Sequence, residues 1–102
     1  MRKFLASSLF FAVSAMAGSM TGYISDAKCA AAHNADKPNE ACVKRCVGRG
    51  EAAVFVSDGK VYKIADASKS KVTDHLGHKV KVDGNVEGDT ITIETISMES
   101  GS

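Results

Sequence analysis

Ala53-Val54-Phe55-Val56-Ser57-Asp58-Gly59-Lys60-Val61-Tyr62-Lys63-Ile64 is the stretch that decides the fold. Two short runs rich in β-branched and aromatic residues flank Asp58-Gly59, a pair suited to a two-residue type I′ turn, which needs positive φ at both central positions. Counting outward from the turn pairs Val56 with Val61 and Phe55 with Tyr62. Ala53, Phe55, Tyr62 and Ile64 then share one face of the hairpin, and Val54, Val56 and Val61 the other.

Downstream, Asp66 to Leu76 reads as a helix, with Asp66 as its cap, Val72 and Leu76 four apart as a buried stripe, and Gly77 as its stop. A second hairpin follows. Val80, Val82 and Val86 alternate with Lys79, Lys81 and Asp83, and Ile91 and Ile93 answer them across Gly88-Asp89. The apolar parity then switches to Ile96 and Met98, which requires one extra residue near Glu94-Thr95. A β-bulge there would bend the strand, as the closure of small barrels demands.

Upstream, Met20 to Asp26 alternates, with Met20, Gly22 and Ile24 on one face and Thr21, Tyr23 and Ser25 on the other, and reads as a first strand. Between residues 27 and 50 the alternation vanishes and all three cysteines appear. Two helical fragments are expected there. Asp26 caps the first, from Ala27 to about His33; Asn39 caps the second, which carries Glu40 in its first turn, Lys44 and Arg45 near its last, and Gly48 as its C′ residue. Neither fragment is long enough to persist alone.

The chain opens with Met1-Arg2-Lys3, an apolar run from Phe4 to Ala17, and Ala15-Met16-Ala17 before Gly18. A basic start, a short apolar centre and small residues at the −3 and −1 positions describe a secretory signal peptide over residues 1–17. Its apolar run, interrupted by Ser7, Ser8 and Ser14, falls short of the ~20 residues of a transmembrane helix. The expected mature domain, 18–102, is therefore free of the membrane, periplasmic or secreted, and placed where thiols oxidise. Loss of Arg2 and Lys3 leaves eleven positive against twelve negative side chains, a net charge of −1. That balance argues against nucleic acid as a partner. The aromatic residues left are Tyr23, Phe55 and Tyr62, so the core is small and aliphatic, and domains of this size often need a staple or a metal.

The order is strand, Cys-rich helical insert (27–50), strand, strand, helix, strand, strand. Without the insert it is β-β-β-α-β-β, the Greek-key order of a five-stranded oligonucleotide/oligosaccharide-binding (OB) barrel, with the insert between strands 1 and 2. The expected class is thus mainly β, a small OB-like barrel. Gly22-Tyr23-Ile24-Ser25-Asp26-Ala27-Lys28-Cys29, the spaced His33, Cys42 and Cys46, and Val80 to Ile93 resemble small secreted bacterial OB-like domains of unassigned function. The resemblance covers most of the mature chain. It implies a fold and a compartment, and that Cys29, His33, Cys42 and Cys46 act together.

The chemistry lies in Cys29-x3-His33 and Cys42-x3-Cys46. Residues four apart share a face of a helix. Two such pairs facing each other would offer three thiolates and an imidazole, a set suited to tetrahedral Zn²⁺ or, because thiolate is soft, to Cu(I). The competing reading is a disulfide: Cys29 bridged to Cys42 or Cys46 would staple the insert and leave one thiol free. A bridge from Cys42 to Cys46 within one straight helix is disfavoured by poorly directed Cβ vectors.

Other chemistries fit less well. Covalent haem needs Cys-x2-Cys-His, and thioredoxin-like exchange needs Cys-x-x-Cys in a βαβ setting. Cys29 with His33 lacks the third, orienting group of a nucleophilic site. Gly48-x-Gly50 follows a helix, which makes it a helix terminus and not a phosphate loop. His75 and His78 could touch a ligand, but they flank Gly77 at a helix end, where solvation or the helix dipole accounts for them more simply. Lys60, Lys63, Lys79 and Lys81 near Tyr62 suggest a single-strand binding face, but outward lysines also guard strand edges. The expectation is an exported, non-enzymatic module whose Cys/His cluster is a metal site or a stapled loop with an unidentified small ligand or protein as partner. The alternative is a small-ligand or oligomer binder using Tyr23, Phe55 and Tyr62, its cysteines purely structural.

Overall fold

Five strands hydrogen-bond in a closed ring in the computed structural model, which describes residues 15–34 and 38–99. They are β1 (Ala15–Asp26), β2 (Ala53–Ser57), β3 (Lys60–Ile64), β4 (Lys79–Glu87) and β5 (Thr90–Met98), in the spatial order β1-β2-β3-β5-β4. Helix α1 (Glu40–Gly48) lies between β1 and β2, and a helical segment containing α2 (Lys69–Val72) lies between β3 and β4. The molecule is mainly β, with the strand and helix order expected. Among the described residues no helix is long and apolar enough to cross a membrane.

The central hairpin has the register counted from its turn, Phe55 opposite Tyr62 and Val56 opposite Val61, with φ of 51° at Asp58 and 78° at Gly59. A short parallel pairing of Lys63 and Ile64 with Thr90 and Ile91 closes the ring. The second hairpin contains the expected bulge. Asp83 faces Thr95 and Gly84 faces Ile93, so Glu94 is the extra residue on β5. Its carbonyl, turned out of the ladder, accepts a hydrogen bond from Lys71 Nζ at 3.0 Å. The bulge lets Ile91 and Ile93 on one side and Ile96 on the other turn toward one interior, while Met98 stays 52% exposed.

That interior is made by every strand: Ile24 from β1, Phe55 from β2, Ile64 from β3, Val80, Val82 and Val86 from β4, and Ile91 and Ile93 from β5, with Val72 from α2. Met20, Tyr62, Leu76 and Ile96 pack against its margin.

Three boundaries differ from the sequence expectation. First, β1 starts at Ala15 instead of Met20, because Ala15 to Tyr23 pair continuously with β4 from Glu87 back to Lys79. Residues 1–14 of the expected leader lie outside the described residues, whereas Ala15–Ala17 are strand. Second, the helix expected over Asp66–Leu76 is a 3-10 turn (Asp66–Ser68), α2, and a second 3-10 turn (Thr73–His75). Asp66 is not its cap. Ala65 N–H still donates to Ile91 at 2.9 Å, which holds the chain extended one residue past β3. The buried Ser68 hydroxyl then exchanges hydrogen bonds with both the N–H and the carbonyl of Ile93, fixing the turn to β5. Third, Gly48 is the last helical residue of α1. The positive φ comes later, at Gly50 (105°), after Arg49 N–H has returned to the carbonyls of the last turn.

Candidate metal centre

The insert is built on the buried end of β1. Tyr23, Ser25 and Asp26 are all buried there, and each directs a polar atom to the insert. Asp26 Oδ1 accepts the Cys29 N–H at 2.9 Å, making a turn directly after the strand. Ser25 Oγ donates to the Ala30 carbonyl at 2.8 Å. Ala30 adopts a left-handed φ of 46°, and a 3-10 turn over Ala30–Ala32 ends at His33 in extended conformation. The Cys29-x3-His33 pair is therefore not on an α-helix, which corrects the sequence expectation. The side-chain acceptor of Asp26 and the side-chain donor of Ser25, both bonded to nearby backbone, favour a local turn over a helix.

The second pair is helical as expected. Asn39 Oδ1 accepts the Cys42 N–H at 3.1 Å as the N-cap of α1, and Asn39 N–H donates to Tyr23 Oη at 2.8 Å. Val43 and Cys46 are buried on the inner face of the helix. The far side of its first turn is held by His78 Nε2, 3.0 Å from Glu40 Oε2.

These anchors bring the ligand atoms of Cys29, His33 and Cys42 within 4.8 Å of one another, close enough to hold a metal ion. His33 Nε2 is buried without a hydrogen-bond partner, and so is Asp26 Oδ2. Cys46, buried four residues from Cys42 on α1, does not share that mutual distance. All three cysteines are free thiols with no two at bonding distance, so the stapled form of the insert is not the one seen.

Burial raises the Cys29 thiol above its ordinary value, and the Asp26 charge and Cys42 raise it further. Cys46 is raised by the same causes in the same order. A pocket that penalises thiolates next to a buried carboxylate is one that a cation relieves, since bound metal favours the deprotonated sulfur. Asp26 reads in the sequence as a helix cap; in the structure it caps the turn that carries Cys29, and its burial leaves Oδ2 unpartnered.

The aromatic residues considered for ligand binding are placed differently. Tyr23 and Phe55 are 1% and 0% exposed, so neither offers a ring face to solvent; Tyr62 is half-buried, 6.0 Å from Phe55, with Lys60 Nζ 5.1 Å from its ring centre. A hollow of about 540 Å³ lies between Thr21, Asn34 and the Asp58-Gly59 turn, and none of the three aromatics lines it. Neither a protein-family model, nor a curated protein, nor a solved structure matches this chain.

Proposed function

We propose that this chain is an exported, non-enzymatic OB-like module that holds a thiophilic ion, Zn²⁺ or Cu(I), between β1 and α1. The observation that carries the reading is the convergence of Cys29, His33 and Cys42 within 4.8 Å, with an imidazole nitrogen buried and unpartnered. A buried donor or acceptor without a partner is costly, and ligation removes the cost for His33. Two thiolates and an imidazole suit either ion. Cys46, four residues from Cys42 on α1, would have to move toward these three to complete a tetrahedral set for Zn²⁺. The basic, apolar leader pattern and the resemblance to secreted OB-like domains support export.

Competition against a chromophoric chelator, with the full chain kept reduced, tests the reading. One ion per chain is expected, and His33→Ala should weaken binding by at least about tenfold, no less than the loss of an outer-shell partner does at known metal sites. Equal affinity in His33→Ala, or no uptake of either ion by the reduced chain, overturns it. A purely structural thiol cluster would leave the His33 variant indistinguishable from the parent.

A further inference from the structure

We propose that Cys29 and Cys42 also close a disulfide, so that oxidation and metal loading are alternative states of the same two sulfurs; this rests on the metal-binding reading above. The two sulfurs lie within 4.8 Å of each other and belong to separately anchored pieces of chain. Asp26 fixes the turn that carries Cys29, and Asn39 with Tyr23 fixes the first turn of α1 that carries Cys42. A disulfide needs the sulfurs to close from within 4.8 Å to about 2.05 Å, and neither sulfur sits on the same helix as the other.

Cys46 is the poorer partner. It sits four residues from Cys42 on one helix, where the Cβ vectors diverge from disulfide geometry, and it is 8% exposed, whereas Cys29 and Cys42 are half-buried and open to a small reagent. The oxidant is a low-molecular-weight disulfide such as oxidised glutathione. One of the two cysteines, as thiolate, attacks a sulfur of the reagent, forms a mixed disulfide and expels one glutathione thiolate. The other cysteine then attacks the protein sulfur of that mixed disulfide and expels the second. Two protein thiols are oxidised, one reagent disulfide is reduced to two glutathione thiols, and the protons lost by the cysteines end on them. The bridged sulfurs no longer supply thiolate charge, so two of the three converging ligands are lost. Conversely, a bound ion occupies the thiolate lone pairs and blocks the attack.

Oxidised glutathione applied to the metal-free and the Zn²⁺-loaded full chain, followed by alkylation and peptide mapping, tests this. The metal-free chain should give a Cys29–Cys42 cross-link with Cys46 alkylated, should then take up no Zn²⁺, and should recover uptake on reduction. The loaded chain should cross-link at least about tenfold more slowly. Equal rates with and without Zn²⁺, a cross-link that uses Cys46, or an oxidised chain that still binds Zn²⁺ overturns the gating while leaving the metal reading intact. A reduced chain that binds neither Zn²⁺ nor Cu(I) overturns both. Cys46→Ser should keep the cross-link, and every other outcome is read on the unaltered chain.

Discussion

Gly22 shows how little room a single residue has in this molecule. A Cβ there would fall 2.7 Å from two atoms of the Phe55 ring and onto the Val56 carbonyl, backbone that cannot swing away. Gly22→Ala should therefore destabilise the chain by about 1–3 kcal/mol, the range for overpacking, as measured by urea unfolding. A cost within ordinary surface scatter would mean that β1 and β2 separate easily at this point. The alternation of Met20, Gly22 and Ile24 places Gly22 on the inner face, but the sequence does not say that the Phe55 ring covers it. Asp26 and His33 follow the same pattern. Their types were legible as a capping carboxylate and a spaced imidazole; their unpartnered buried atoms were not, because burial depends on which distant segments cover them.

Among the elements, α1 is the one whose position matters most to the site, and its first turn is clamped from two directions. Glu40 accepts Lys44 at 2.6 Å along the helix and meets His78 across it, and both hold its carboxyl below the usual carboxylate range, Lys44 more than His78. The backbone also fits closely: Gly77, with φ of 76°, approaches the Glu40 Cα so nearly that no side chain fits between. A carboxyl whose folded value is depressed contributes stability that is fully present above its unfolded value and is lost as pH falls through the folded one. The docking of α1 should thus weaken on acidification into and below the ordinary carboxylate range. Thermal unfolding across that range should show Glu40→Gln less stable than the parent at neutral pH and converging with it in acid. Parallel profiles would show that the clamp carries no net stability, as exposed pairs sometimes do. The reading of His78 as a residue favouring a helix dipole missed this contact, since nothing local to Gly77-His78 announces a partner nearly forty residues away.

The whole molecule depends on one shared core. Every strand and α2 contribute to it, and Phe55 at 0% exposure is its largest fully buried aliphatic-facing ring after Tyr23 is set aside under the insert. Phe55→Ala should cost about 3–5 kcal/mol in equilibrium denaturation, a large share of the ~5–15 kcal/mol a domain of this kind has. A loss under about 1 kcal/mol would place Phe55 outside the core. By itself the sequence determined the strands, the Asp58-Gly59 turn with its register, the Glu94 bulge and the helical Cys42-x3-Cys46 pair. Each follows from a short-range rule: a period of two, a turn that demands positive φ, a parity switch, a period near four. Tertiary structure decided the rest. It broke the Cys29–His33 helix into a turn under Ser25 and Asp26, extended β1 along β4 to Ala15, buried Tyr23 and Phe55 away from solvent, and brought Cys29, His33 and Cys42 together. The physical reason is that ligand distance and burial arise between segments far apart in the chain, where no spacing in the sequence records which surfaces meet.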